Sequence, residues 1–495
     1  SLATHITNRV RVNMLDDFVK KLFLIPDELV ENSNIGDLLQ RVRDNERLQS
    51  YLSNNLFLIG VSVLMLISFS FVLLYFNTVL FVVYLIGALV YVLWTIVFLK
   101  QRKKIDVRIY ELLARNNKFL IDIHKTISDI KIFGFINRFR NKWRDNLISQ
   151  HEVSLSFLKL NQIFESGSSI IEQARNITIT YLTCYYVLNG EITLGVLFSL
   201  QYIIGNLNAP LQQISSFLNQ TQLANISISR LFEYNKYPDK VPVEKSNYTF
   251  IPRHKDVRFV HVTKRFNDGT IGVRNISIDL RQGQKIGIVG KSGCGKSTLL
   301  KLIACIQEPS TGDIFIGTSN IKGLNINNLQ EEISIVSQDS RLFEGTVAEN
   351  ITGTRHFDEK RLVFAIETAF IRREIEGWED GYNTVVEGAG KKLSVGQAQR
   401  LLIARALYKV ATIYLFDEVS SGLSFDIEQK IFSKLDQVLA DKTRIIVSHR
   451  LEPIKNADLI YVIDNGILVE AGTHENLCKS KSFYYRMFES QINRE

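Results

Sequence analysis

Gly290-Lys291-Ser292-Gly293-Cys294-Gly295-Lys296-Ser297-Thr298 fits the pattern G-x-x-x-x-G-K-[ST]. The apolar run Lys285–Val289 precedes it, and a helical pattern, Thr298–Ile306, follows. A strand, a glycine-rich turn and a helix in that order form a phosphate cradle. Gly290, Gly293 and Gly295 let backbone N–H groups curl around phosphate oxygens. Lys296 reaches the β and γ phosphates, and Ser297 is placed to hold Mg²⁺. The reading is an ATP site on a P-loop α/β fold.

Downstream, apolar runs alternate with helical patterns: Ile333–Val336, Ile413–Phe416, Ile445–Ser448 and Leu459–Ile463. That alternation predicts a largely parallel sheet covered by helices. The run Ala411–Phe416 ends in Asp417-Glu418. An acid at a strand's C-terminal end can face nucleotide-bound Mg²⁺, the role read for Asp417. Glu418, one residue on, is placed to polarise a water. Ser394 and Gln397 form a capping box, S-x-x-Q, opening the helix Ala398–Tyr408. A capped helix end carries partial positive charge and can take a phosphate. The P-loop helix already serves the chain's own ATP, so this second helix end points to the ATP of a partner, with two copies closing face to face.

Upstream the chemistry changes. The chain has 495 residues, more than one domain usually holds. Leu56–Phe76 and Val79–Leu99 carry no charge and are each long enough to cross a bilayer. Spans are expected at about 56–76, 79–99, 170–189 and 194–215. Asn77-Thr78 turns the first pair, and Asn189-Gly190-Glu191 turns the second. Lys20, Lys21, Arg41, Arg43 and Arg47 precede the first hairpin, and Lys100, Arg102, Lys103, Lys104 and Arg108 follow it. Both clusters fall on the cytoplasmic side by the positive-inside rule. Residues 105–165 read as long charged helices projecting into the cytosol. Glu165, Glu172 and Arg175 stand at the entry to the third span. Glu172 and Arg175, at i and i+3, are spaced to pair. They mark either a pathway within the membrane or a helix end already in water.

The net charge of +8 permits nucleic acid, but the cations flank apolar spans and no aromatic–basic RNA motif accompanies them, so none is expected as a partner. Four cysteines, without a CxxC pair or a His cluster, suit a reducing compartment and give no metal cluster. Cys294 lies at a helix N-terminus, where a thiol pKa can fall. A passive small residue is the plainer reading.

Together these motifs resemble an ABC transporter of the exporter type, with membrane and ATPase domains fused. The resemblance implies an α-helical transmembrane domain at 1–234, a linker at 235–251 and an α/β P-loop NTPase domain at 252–495. It implies that Gln338, in Ser337-Gln-Asp-Ser, contacts Mg²⁺ and the membrane domain. It implies that His449 senses the γ-phosphate and Phe266 stacks on adenine. It also implies an ATP site completed by Ser394, Val395, Gly396 and Gln397 of a second copy, a homodimer, and a place in the bacterial inner membrane among its lipids. Gly36-Asp-Leu-Leu-Gln-Arg, Ile130-Lys-Ile-Phe-Gly and Val196–Pro210 resemble bacterial peptide and bacteriocin exporters that often carry an N-terminal cysteine peptidase. This makes peptide the expected cargo, with lipid or drug as the alternative. By the same resemblance, Gly36–Arg43 and Asp129–Phe133 lie near the coupling helices.

The departures are specific. Val395 stands where the family usually has Gly, Ser424 where it has Asp, and Phe266 where Tyr is commoner. Val395 is a first-turn position where a side chain is sterically possible. The expected spans number four against the family's six, and residues 1–24 read as the cytosolic end of a second helix. The peptidase and first membrane helices are therefore expected to be lacking, and a truncated ATP-binding chain unable to transport alone is a further alternative.

Overall fold

Asn77 shows how the membrane half is folded locally. Its Oδ1 accepts hydrogen bonds from the backbone N–H groups of Val79 at 2.8 Å and Leu80 at 3.2 Å. One side chain thus ends α3 (Leu56–Phe76) and caps α4 (Thr78–Ile132). The computed structural model describes residues 2–25, 35–52, 56–232, 254–266, 268–324, 326–388, 390–420 and 422–492. It divides into two units, Ser1–Lys240 and Val241–Glu495. The linker expected at 235–251 lies outside the described residues.

In the first unit, α1 (Leu2–Leu24) and α2 (Ile35–Ser50) precede the apolar hairpin. Gly36 in α2 lets the backbones meet, because a Cβ there would stand 2.7 Å from the Ala114 carbonyl of α4. Helix α4 runs 55 residues without a break, straight through the basic cluster after Leu99. The turn Phe133–Phe135, with Gly134 at φ +69, sends the chain back as α5 (Ile136–Leu188). The two helices are antiparallel, held by Phe119 stacked on Trp143 with centroids 5.8 Å apart. Asn116 bonds Gln150 at 2.9 Å, and Trp94 Nε1 donates to the Phe164 carbonyl at 3.2 Å. Helix α6 (Leu194–Leu231) completes the unit, capped by Thr193. The core between α3, α4, α5 and α6 is built from Leu73, Leu80, Tyr84, Ile179, Leu200 and Leu207.

Among the described residues, three helices are long and apolar enough to cross a membrane: Leu58–Phe76, Thr78–Ile132 and Leu194–Leu231. The span expected at 170–189 is the last part of α5 and is not among them. Glu172, Gln173, Arg175 and Asn176 interrupt its apolar character. The expected Glu172–Arg175 pair does not form. Glu172 instead accepts from Gln212 Nε2 at 3.3 Å, and Arg175 donates to Asn208, so each reaches a partner on α6.

The second unit contains a six-stranded sheet of order β12-β11-β3-β10-β9-β6. Its strands are β3 (Lys285–Gly290), β6 (Ile333–Val336), β9 (Ile413–Asp417), β10 (Thr443–Val447), β11 (Leu459–Asp464) and β12 (Ile467–Gly472). All neighbours pair in parallel except β11 with β12. The strands β3, β9 and β10 are buried along their whole length, as continuous apolar runs covered on both faces should be. A second sheet, unforeseen from the sequence, is antiparallel: β1 (Val257–Arg265), β2 (Ile271–Leu280), β4 (Thr311–Ile316) and the short β5 (Ser319–Asn320), in order β2-β1-β4-β5. A third, two-stranded sheet pairs β7 (Gly345–Thr346) with β8 (Val385–Val386).

Candidate functional site

The order β3-β10-β9-β6 brings four strand ends side by side at one edge of the sheet. Ligands of open α/β sheets bind outside such carboxyl ends. The P-loop follows β3, His449 follows β10, Asp417-Glu418 ends β9, and Gln338 follows β6. Sequence positions separated by more than 150 residues thereby become neighbours.

The P-loop is held by close backbone approach. A Cβ on Gly290 would lie 2.2 Å from the Ile463 carbonyl oxygen, and one on Gly295 would lie 2.1 Å from that of Gly272. Gly295 has φ +106 and caps the helix Lys296–Ile303, which begins slightly earlier than expected. The Lys296 side chain lies back in the curl and is buried. Its Nζ donates to the carbonyls of Gly290 and Lys291, both at 2.9 Å. A cation held by two neutral carbonyls inside a ring of backbone N–H groups suits an anionic phosphate. Lys291 and Ser292 are exposed on the outer bend of the same loop.

Beside this loop, the Asp417 carboxylate is buried, with the Ser297 hydroxyl near it. Burial pushes its carboxyl above the usual range, while the Ser297 hydroxyl opposes that. Its Oδ1 is buried with no hydrogen-bond partner among the described residues. A hydroxyl and an open carboxylate oxygen next to a phosphate cradle are hard oxygen donors, and they fit Mg²⁺. Glu418 occupies the left-handed region at φ +53, with its N–H bonded to the Val447 carbonyl at 3.0 Å. This unusual backbone turns the side chain to His449, whose Nε2 lies 2.6 Å from Glu418 Oε1. Gln338 is exposed on the turn closed by Ser337 and Ser340.

Phe266 and Thr298 meet over Gly272, where a Cβ would stand 2.9 Å from the Phe266 ring and 2.8 Å from the Thr298 methyl. The aromatic is thus fixed next to the P-loop helix. Lys264 lies over the same ring at 5.7 Å. Cys294 agrees with the reading as a passive small residue. It is buried, and burial pushes its thiol up rather than down.

The capping box expected at Ser394 and Gln397 is present in both directions: Ser394 N–H to Gln397 Oε1 at 2.9 Å and Gln397 N–H to Ser394 Oγ at 3.2 Å. It opens the helix Val395–Tyr408, so Val395 is its first residue and stands exposed. Gly396 packs on Gly422, a Cβ there reaching within 3.0 Å of the Gly422 carbonyl oxygen. Ser424 caps the helix Phe425–Val438 without a side-chain hydrogen bond, and Ser421 lies outside the described residues.

Two supporting pairs escaped the sequence reading. Glu374 accepts from Gln397 Nε2 at 2.8 Å and from buried Arg400 at 2.8 Å, fastening the start of the helix. Arg450, next to His449, pairs with buried Glu428. The partners are 22 to 26 residues apart, so no local periodicity joins them. An arginine one turn into a capped helix was the only signal for the first.

Residues 273–421 match the ABC transporter family, and residues 1–211 match the ABC transporter transmembrane region. The chain is 30% identical over 495 residues to the toxin RTX-III translocation ATP-binding protein of Actinobacillus pleuropneumoniae, covering 99% of this chain and 69% of that one. The chain belongs to the ABC transporter family. The leukotoxin export ATP-binding protein LtxB of Aggregatibacter actinomycetemcomitans is likewise 30% identical, over 99% of this chain and 69% of that relative. The fold of this ABC exporter matches a bacterial Atm1-family ABC exporter with ATP bound at a TM-score of 0.92. That match covers 98% of this chain and 86% of the other at 23% identity. The chain is therefore an ATPase coupled to export, with a helical membrane domain fused to an ATP-binding domain.

Proposed function

We propose that this exporter works as a homodimer in the bacterial inner membrane, binding two ATP molecules between its ATPase domains and moving a polypeptide cargo outward. Each ATP would lie on one chain's P-loop, from Gly290 to Thr298, with Phe266 against adenine. It would be closed over by the partner's Ser394, Val395, Gly396 and Gln397. The observation that carries this reading is the meeting, at one sheet edge, of the Lys296 cradle, the open Asp417 oxygen and the Glu418–His449 contact.

Ser297, Asp417 and Gln338 would hold Mg²⁺, which neutralises phosphate charge when bound. Glu418 would take the proton of the attacking water. His449, 2.6 Å from Glu418, would hold that carboxylate in place and face the γ-phosphate. Closure of the two domains would switch the helices from inward- to outward-open, and hydrolysis would reset them.

A polypeptide cargo is favoured by the relatives, whose names describe the translocation or export of a toxin and a leukotoxin. The sequence runs shared with peptide exporters agree with it.

The test is Glu418→Gln. The variant should bind ATP with wild-type affinity and lose turnover by at least about 100-fold. Wild-type-like hydrolysis would remove Glu418 from the base role.

A further inference from the structure

Within the membrane half, Arg175 is a buried cation on α5, packed among the core helices. It is 5% exposed, and no described carboxylate lies within 4.0 Å of it. Three helices build its surroundings. From α6, Asn208 accepts from Nη2. From α4, the Tyr84 ring lies under the guanidinium, 5.1 Å from centroid to Cζ. Also from α4, Gly87 makes the room: a Cβ there would stand 2.6 Å from Arg175 Cδ. The remaining bonds, from Nε and Nη2 to Asn176 Oδ1, are long at 3.4 Å. The nearest acid along α5, Glu172, is directed to Gln212. Below the guanidinium, the Tyr84 hydroxyl is buried and has no hydrogen-bond partner among the described residues.

Depth sharpens the point. At 1.5 Å per residue, Arg175 stands roughly 20 Å from the Leu188 end of α5, and Asn208 roughly 20 Å from the Leu194 end of α6. With the α5–α6 turn at the outer face of a hydrocarbon core about 30 Å thick, both positions would fall inside it. An unneutralised guanidinium there is costly, and such groups mark the path of a charged ligand. Its planar fork matches a carboxylate with two parallel hydrogen bonds.

We infer that Arg175, with the Tyr84 hydroxyl and Asn208, forms a carboxylate-binding site inside the membrane domain, and that it receives an acidic side chain or the C-terminal carboxylate of the cargo. This rests on the polypeptide-cargo reading above. It adds that the exporter prefers acidic segments and that the preference is set at one residue. No bond is made or broken, since the carboxylate simply replaces the Asn208 amide oxygen as the acceptor.

The experiment uses the full exporter in lipid nanodiscs and two synthetic amphipathic peptides. One carries Asp, Glu and a free C-terminus; the other is amidated, with Asn and Gln in their places. The readout is the peptide concentration giving half-maximal stimulation of ATP hydrolysis. Arg175→Gln should raise that concentration at least tenfold for the acidic peptide and less than twofold for the neutral one. Arg175→Lys keeps the charge but loses the fork and should fall between. Gly87→Ala, which displaces the guanidinium without removing it, should reproduce the selective loss. Equal loss for both peptides in all three variants would make Arg175 a helix pin and overturn the site. Unchanged selectivity would overturn it too, leaving the polypeptide reading intact. If neither peptide stimulates the wild type, both readings fall together.

Discussion

Cys294 shows what a motif reveals about a residue and what it withholds. Its place in the P-loop is legible from spacing alone. Its chemistry is not, because a helix N-terminus lowers a thiol pKa only when the sulfur reaches solvent or charge. Here the sulfur lies so close to Gly290 that a Cβ there would be 2.5 Å from Sγ. Native protein should therefore react with iodoacetamide at Cys294 at least about tenfold more slowly than unfolded protein. Mass spectrometry of the labelled peptide checks this, and labelling at equal rates would refute the burial. Gly295 is the opposite case, where residue type and geometry coincide. Its φ of +106 and the Gly272 carbonyl oxygen together exclude a side chain. Gly295→Ala should abolish ATP binding in calorimetry, with the left-handed penalty alone worth about 1–2 kcal/mol.

Elements were read well where their pattern is continuous and poorly where it depends on distant partners. The runs Lys285–Val289, Ile333–Val336, Ile413–Phe416, Ile445–Ser448 and Leu459–Ile463 fall on strands because each is dominated by apolar residues, with Ser334 the one polar residue inside a run and Lys285 and Ser448 at run ends. The antiparallel β1 alternates buried and exposed residues, a weaker signal, and polar residues such as Arg258, His261 and Lys264 obscured it. The Glu172–Arg175 pair failed for another reason: helical spacing says which residues share a face, but not that Asn208 and Gln212 stand opposite. Two seams can be tested at this scale. Glu374→Ala leaves Arg400, 7% exposed, without its acid. It should lower stability by about 2 kcal/mol, less than a fully buried pair because Glu374 is partly exposed. It should also lower the ATPase kcat more than the ATP affinity, since it loosens the helix end at Ser394–Gln397. Gly167→Ala places a Cβ 2.3 Å from the Trp94 ring. Parting α4 from α5 in this way should cost about 1–3 kcal/mol, read as a lower melting temperature in detergent.

At the scale of the whole molecule, the proposed site belongs to two chains. Lys296→Ala removes the phosphate ligand from a chain's own site, whereas Ser394→Arg disables the half a chain lends to its partner. Either homodimer should be inactive. A mixed dimer gathers both defects into one site and leaves the other whole, so it should regain up to about half the wild-type turnover. Tagged chains purified in tandem would supply that species, and complete inactivity would argue against the shared arrangement. No pattern within one chain states this outright. What the sequence carries is a second phosphate-seeking helix end with no ligand of its own, and the capping box of Ser394 and Gln397 supplies that end in atomic detail.

The unbroken run of α4 has a mechanical meaning. With 55 residues it is about 80 Å long, more than twice the thickness of the bilayer core. Packed antiparallel against α5, it forms a doubled beam that resists bending. Pivoted within the membrane, a tilt of about 5° would swing a tip roughly 50 Å away through about 4 Å. Such a beam converts a small change of angle into a stroke the size of a side chain. Gear ratio, rather than flexibility, is what this hairpin would contribute to transport.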